Sequence, residues 1–193
     1  MLKIRNLAAS VALTFGFTAE AIANPCDGLR YQKSSAAHLE AGSVSNNKLD
    51  DHFNATRYSH GIKSDIKQID GNLRIDIVSF PGDSQLAAGL FFILQVTRLA
   101  QDDFERVVLV EQGKEVFSFD GMVARENGCQ ALWGVSTAGS PLPLFVDIMG
   151  SAKDADGNAL ISTYTGNWLS DMNLALEAFN SEIAPAWIFN AAE

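Results

Sequence analysis

Alternating apolar and polar residues indicate several short β-strands in the first two thirds of the chain. Residues 73–80 alternate at their start and are rich in β-branched side chains, and turn-forming residues at 70–72 precede them. Residues 66–69 supply a partner strand on the other side of that turn. Two further strand-like runs, 104–110 and 114–119, are separated by a short loop that contains glycine, which predicts a second hairpin.

Helical spacing marks two longer segments. The first starts at a cap supplied by Asp83 or Ser84 and runs to about Gln101. It is apolar on nearly every side, which predicts a buried helix at the centre of the core. The second starts at Trp168, ends at Pro185, and has apolar residues at steps of four, four, three and four: Trp168, Met172, Leu176, Phe179 and Ile183. The spacing predicts that the aromatic residues of both helices lie in the core and not around a ligand: Phe91, Phe92 and Trp168.

The rest of the chain gives weaker signals. Residues 27–42 favour a helix, and residues 43–64 form a polar surface stretch that is at most partly helical. Asp120 is placed to cap a short helix that stops near Gly128. Two short runs remain. Residues 144–149 fit a helix or a strand, and residues 160–164 fit a strand. Helices thus alternate irregularly with strands, which predicts an α+β fold: a single compact domain with a small, mainly antiparallel sheet covered by helices.

The N-terminus has the three parts of a secretory signal peptide. Two basic residues precede an uncharged, apolar run at 7–17, and small residues follow it. That run is much shorter than the roughly 20 apolar residues of a membrane-spanning helix. We expect cleavage after Ala23, with Ala21 as the alternative. Residues 1–23 are therefore predicted to be a cleaved signal peptide and residues 24–193 a single globular domain in the periplasm or outside the cell.

The charge of the chain excludes two classes of partner. The chain has 14 basic and 23 acidic residues and a formal charge of −9. Removal of residues 1–23 leaves 12 basic and 22 acidic residues, and the formal charge becomes −10. Such a surface repels phosphate backbones and anionic headgroups, so we expect neither nucleic-acid binding nor electrostatic docking to a membrane.

The two cysteines are predicted to form a disulfide. Cys26 and Cys129 are the two cysteines of a chain that is sent to an oxidising compartment, so their number is even. Neither has the spacing of a metal or redox motif. The bridge would close a loop of about 100 residues, for which the chain-entropy model gives a stabilisation of about 4 to 5 kcal/mol. Pro25 stands where a lipidated cysteine needs a small residue before it, so we expect no stable membrane anchor after cleavage.

Ser136 is the one candidate nucleophile with a suggestive context. It lies in the sequence 134–138, which resembles a nucleophile elbow but lacks the second glycine of G-x-S-x-G. A triad also needs a base, and the chain has three histidines: His38, His52 and His60. All three precede Ser136, whereas the α/β-hydrolase order places the histidine last. The sequence therefore favours a loop hydroxyl over a catalytic serine.

The densest group of potential metal ligands comprises Asp50, Asp51, His52 and His60. On a helix the two histidines would lie about 80° apart around the axis, so the spacing favours a solvated loop over a zinc site.

Residues 154–158 resemble the start of a calcium loop, but the glycine comes too early and Thr165 stands where the chelating glutamate belongs. A hairpin turn is the simpler interpretation of these residues. We predict no metal site and no cofactor.

The absence of a convincing catalytic group leads to an expectation about function. We expect an exported, soluble protein of the periplasmic or secreted kind that acts as a binding or interaction domain, with a protein or a small molecule as its ligand. The alternative is an exported hydrolase that uses Ser136 with a histidine, or an acidic pair for general acid and base catalysis. The sequence leaves open whether the protein is an enzyme.

Overall fold

The structure is a computed structural model that describes residues 26, 41–56, 59–131 and 142–191. Its centre is one mixed sheet of five strands in the order β1-β2-β3-β4-β5. The strands are β1 (Lys63–Ile69), β2 (Asn72–Ser79), β3 (Arg106–Glu111), β4 (Lys114–Asp120) and β5 (Lys153–Asp154). All neighbouring pairs are antiparallel except β2 and β3, which are parallel. The α+β class and the mainly antiparallel sheet are confirmed.

Both predicted hairpins form, and each turn has two residues. Asp70 and Gly71 have φ angles of 49° and 76°, and Gln112 and Gly113 have φ angles of 48° and 81°. Two successive residues with positive φ make the turn that matches the right-handed twist of paired strands, and glycine at the second position adopts it without steric cost.

Five α-helices accompany the sheet in the described ranges. They are α1 (Leu49–Ala55), α2 (Ala87–Leu99), α3 (Gly121–Gln130), α4 (Leu142–Gly150) and α5 (Trp168–Ala178). A 3-10 turn, Asn46–Lys48, leads into α1. A segment of wider π-helical winding, Phe179–Ile188, and a final 3-10 turn, Phe189–Ala191, continue from α5. The α2 helix is the crossover that connects the parallel strands β2 and β3, as a parallel pair requires.

The core lies on one face of the sheet. That face carries Leu73 and Ile75 of β2, Leu109 of β3 and Phe119 of β4, and the apolar sides of the helices pack on it. The α2 helix is buried along almost its whole length, so the prediction of a central, buried helix is confirmed. Trp187 of the π-helical segment donates its indole N–H to the carbonyl of Ile75 at 3.2 Å, which satisfies its polar atom inside the core.

Two sequence predictions about helix ends are wrong. Neither Asp83 nor Ser84 caps α2, which begins at Ala87 without a side-chain cap. The α3 helix, in contrast, is capped by Asp120 as predicted and ends at Gln130, close to the predicted stop near Gly128. The last helical region does not end at Pro185, because the wider winding of Phe179–Ile188 accommodates the proline within the helix.

For three further segments, the structure either differs from the sequence prediction or decides between the alternatives that the sequence left open. The polar stretch 43–64 contains a regular helix, α1, whose Leu49 and Phe53 are fully buried. The ambiguous run 144–149 is helical. Residues 160–164 are not a strand; the short strand β5 comes before the turn, and only Ala159 pairs after it. The predicted helix at 27–42 lies outside the described residues except for its last two positions.

The structure contains the predicted disulfide between Cys26 and Cys129, with a Cα–Cα distance of 5.7 Å. Both cysteines are buried, and Ala41 packs against them. Cys129 lies in the last turn of α3, so the bridge ties Cys26 to a helix end, as expected. No helix within the described ranges has the length and apolar character needed to cross a bilayer.

Candidate functional site

The serine site that the sequence suggested depends on residues that the structure does not describe. Ser136 and His38 lie outside the described residues. His52 is on α1, and His60 lies in the turn before β1 with a φ of 50°. The hydrolase alternative based on Ser136 therefore stays a prediction.

The polar residues around His52 have a structural role. The amide of Asn54 donates to the carbonyl of Ser64 at 2.8 Å and accepts from its N–H at 3.1 Å. Asp50 accepts from the N–H of Ile66 at 3.3 Å and from the Asn54 amide at 2.9 Å. Because β1 is an edge strand, these bonds satisfy backbone groups that would otherwise be open to a further strand.

No group of three or more His, Cys, Asp or Glu side chains is placed to hold a metal ion in the described part of the chain. Residues 154–158 form a turn, as the sequence predicted. The Asp154 carboxylate accepts from the N–H groups of Asp156 and Asn158 at 3.0 and 2.8 Å and from the Asn158 amide at 3.0 Å. These hydrogen bonds, led by those of Asn158, lower the pKa of Asp154. The carboxylate is thus occupied in holding its own turn.

One acidic pair does come together on the sheet. The register of β1 and β2 places Asp65 directly opposite Asp76, on the face away from the core. Lys67 donates to Asp65 at 2.5 Å. Partial burial raises the pKa of Asp76, and the nearby charges of Asp65 and Glu111 raise it further, against the hydrogen bond from the Gly113 N–H and the charge of Lys67.

The largest group of exposed apolar side chains in the described part of the chain lies on α5. Four of the eight large apolar side chains that are exposed in the described part of the chain belong to this helix: Trp168, Leu169, Leu174 and Leu176. We call Trp168, Leu169 and Leu176, which are 47%, 68% and 39% exposed, the α5 flank. The buried side of the helix is formed by Met172, Ala175 and Phe179 instead.

Helix geometry places the two leucines of the α5 flank on one side of the helix, with Trp168 before them at its N-terminal end. Leu169 and Leu176 are seven residues apart, so they point in nearly the same direction and are separated by about 10.5 Å along the axis. Trp168 is one turn before Met172 and in line with the buried stripe, about 80–100° around the axis from the two leucines. The two leucines therefore form an apolar strip beside the buried stripe, and Trp168 exposes its indole at the N-terminal end of that stripe.

The start of α5 is held firmly by its own loop. The Asp171 carboxylate accepts from the N–H and the hydroxyl of Thr165 at 2.7 and 2.8 Å and from the N–H of Gly166 at 3.0 Å. Asn167 caps the helix by accepting from the N–H of Ser170 at 3.2 Å. Gly166 has a φ of 79°, which lets the chain turn directly into the helix.

Tyr164 ties the same loop to α4. Its hydroxyl donates to the carbonyl of Val146 at 2.7 Å, and its ring packs on Gly150. Burial, together with the charges of Asp171 and Asp147, raises the pKa of Tyr164 to about 12, so the hydroxyl stays a donor. The α5 flank is therefore presented by a fixed helix and not by a loose loop.

No protein-family model matches this chain, and no curated protein or solved structure matches it either. The functional argument therefore has to come from the residues themselves.

Sequence reasoning missed the exposure of the α5 flank and the pairing of Asp65 with Asp76. Trp168 and Leu176 were expected in the core, which is wrong. Leu176 is exposed because the buried stripe runs through Ala175, about 100° around the axis from it. Trp168 is in line with that stripe but is exposed at the first residue of the helix. The sequence held a signal only for Leu169, which is an apolar residue outside the predicted stripe.

Proposed function

We propose that this protein is an exported binding domain without catalytic activity and that the α5 flank is its binding surface. The observation that carries the proposal is the concentration of exposed Trp and Leu side chains on one side of one helix. Contiguous exposed apolar side chains are typical of surfaces that another molecule covers, whereas single exposed apolar residues are common on any protein.

The composition and rigidity of the surface support this function. Tryptophan is among the residues that contribute most to binding energy in protein interfaces, and leucine adds apolar area around it. The hydrogen bonds of Asp171 and Asn167 fix the start of the helix before any partner arrives. A surface that is ordered in advance loses less conformational entropy on binding.

Export is supported by the N-terminal segment and by the disulfide. The residues 1–23 have the pattern of a secretory signal peptide, and disulfides persist mainly in oxidising compartments outside the cytosol.

The proposal is tested by photo-crosslinking from Asn173, which is exposed and lies on the same side of α5. A photoreactive amino acid at this position, in cells that produce the protein, should give a discrete crosslinked species. The species should disappear in the double variant Leu169→Asn, Leu176→Asn and persist in Val78→Asn, which alters an equally exposed apolar residue of β2. Crosslinks that are absent, or that survive the double substitution, would contradict the proposal.

The second candidate is an exported hydrolase, and the observation that favours it is the pair Asp65 and Asp76. Two carboxylates in different environments are the usual requirement for general acid and base catalysis, and the pKa of Asp76 is raised. A panel of ester, peptide and glycoside substrates tests this function. Activity that is lost in Asp76→Asn, or in Ser136→Ala for the serine version, would replace the binding proposal.

A further inference from the structure

We propose that the α5 flank binds a positively charged amphipathic helix of a partner protein. The inference rests on the proposed function and adds the chemical class of the partner. Three observations carry it: the charge around the flank, the exposed indole of Trp168, and the spacing of Leu169 and Leu176.

The last third of the chain is strongly acidic. From Glu126 to the C-terminus there are eight acidic residues and one basic residue, Lys153. The α5 helix and the π-helical segment after it carry Glu177 and Glu182, both exposed, and no basic residue. Asp147 on the neighbouring helix α4 is also exposed. A partner with Lys or Arg beside its apolar residues would meet opposite charge on this side of the molecule, which speeds encounter and excludes acidic partners.

Trp168 adds a second reason for a cationic partner. Almost half of its surface is open, and it is the first residue of α5, directly before Leu169. The face of an indole ring attracts the ammonium group of lysine and the guanidinium group of arginine. A basic residue at one end of the partner segment can therefore stack on Trp168 while its apolar neighbours contact the leucines.

The spacing of the two leucines selects a helix as the partner segment. Leu169 and Leu176 are separated by two helical turns, and apolar residues seven apart on a second helix have the same separation of about 10.5 Å. Met172 lies between the leucines and is buried, so the strip is continuous with the core of the domain. An amphipathic helix laid along α5 would bury its own apolar stripe on this strip and leave its basic residues to the acidic surroundings.

The test uses the full mature chain and synthetic helical peptides of about 18 residues, long enough for several turns. One peptide has leucines at heptad spacing and lysines elsewhere on its polar face. A second has glutamate in place of each lysine, and a third has the lysine composition in an order that destroys the apolar stripe. Titration calorimetry or fluorescence anisotropy measures Kd for each peptide at low and physiological ionic strength.

We expect the lysine peptide to bind at least about tenfold more tightly than either control peptide. The double variant Leu169→Asn, Leu176→Asn should weaken this binding by about tenfold or more, while Val78→Asn leaves it unchanged. Glu177→Gln should weaken it by a few-fold and reduce its dependence on salt, while the matched variant Asp70→Asn, in the β1–β2 turn, has no effect. Circular dichroism and Tm confirm that each variant remains folded.

The outcomes separate this inference from the proposed function. Equal binding of the lysine and glutamate peptides, or lysine-peptide binding that survives the double substitution, overturns the inference about the partner. If crosslinking from Asn173 still yields a species that depends on Leu169 and Leu176, the proposed function stands with a partner of different chemistry. If the crosslink is absent as well, both proposals are wrong.

Discussion

At the scale of single residues, Gly128 sets how closely helices α2 and α3 approach each other. A Cβ atom at this position would lie 2.6 Å from the carbonyl oxygen of Leu94 and 2.6 Å from the hydroxyl of Thr97, both on α2. Thr97 also donates to the carbonyl of Ala124 on α3 at 3.0 Å, which holds the two helices together at this distance. The contact leaves no room for any side chain.

Gly128→Ala is therefore expected to destabilise the protein, although alanine favours a helix more than glycine does. Helix propensity alone predicts a gain of about 1 kcal/mol, whereas overpacking against backbone costs about 1 to 3 kcal/mol and more when the contact cannot relax. Urea denaturation measures the net change, and Glu126→Ala on the same helix is the control, with little change expected. An unchanged or raised free energy of unfolding in Gly128→Ala would show that the helices can move apart at no cost.

The raised pKa of Asp76 predicts that the stability of the fold depends on pH. Its pKa is raised in the folded protein, chiefly by burial, so the folded state holds the proton at pH values where the unfolded chain has lost it. The contribution of this group to stability is thus greatest in acid and is lost as pH rises from its ordinary pKa of 3.8 through the raised value.

Asp76→Asn removes the charge and should raise the Tm at neutral pH, with a difference from the native protein that shrinks below about pH 4. Thermal unfolding followed at several pH values checks this. Asp70→Asn, in the exposed β1–β2 turn, is the control and should leave the pH dependence unchanged. A lower Tm in Asp76→Asn at neutral pH would mean that the ionised carboxylate makes a favourable interaction in the fold.

At the scale of elements, the short helix α1 protects the open edge of the sheet. Its side chains Asp50 and Asn54 bond to the backbone of β1 at Ser64 and Ile66, while Leu49 and Phe53 anchor it in the core. Asn54 also begins an Asn-Ala-Thr sequence of the glycosylation type, but its amide nitrogen is engaged by Ser64 and Asp50. The residue therefore serves the fold.

Asn54→Ala should lower the free energy of unfolding by about 1 to 3 kcal/mol, because it leaves the N–H and the carbonyl of Ser64 without their partners. Amide hydrogen exchange at Ser64 should also become faster. The matched control is Asp51→Ala, an exposed residue of the same helix, for which we expect a change within about 0.5 kcal/mol. Equal changes in the free energy of unfolding for both substitutions would show that the bonds of Asn54 to β1 add nothing to stability, since both replacements raise helix propensity.

Local signals were enough to predict some elements and not others. The Asp70–Gly71 turn fixes the β1–β2 register, so the meeting of Asp65 and Asp76 could have been read from the sequence by counting outward from that turn. The exposure of Trp168 and Leu176 could not be predicted in this way, because it depends on where along α5 and along which line its neighbours pack. Residues 160–164 have strand-like composition, but tertiary contacts such as the Tyr164 hydrogen bond to Val146 override it.

At the scale of the whole molecule, the outer face of the sheet is charged along β1 and β2 and apolar along β3, where Val108 and Val110 are buried. The helices and the core occupy one face, while the outer side of β1 and β2 carries Asp65, Lys67, Arg74 and Asp76. Most of the excess negative charge comes after Glu126, and on α5 and the neighbouring α4 it includes the exposed Glu177 and Asp147. This uneven distribution makes association with a cationic partner directional, since the field favours approach to one side.

The disulfide links positions 103 residues apart, and its removal should destabilise the whole domain. For a loop of this length the chain-entropy model predicts a loss of about 4 to 5 kcal/mol, because the unfolded chain without the bridge has many more conformations. The double variant Cys26→Ser, Cys129→Ser, compared with the native protein by guanidinium denaturation, measures the loss. Since the bridge joins Cys26 to the end of α3, far along the chain from α5, the variant should still bind the lysine peptide at temperatures where it remains folded. Loss of peptide binding in the folded variant would mean that the bridge shapes the α5 flank as well as stabilising the domain.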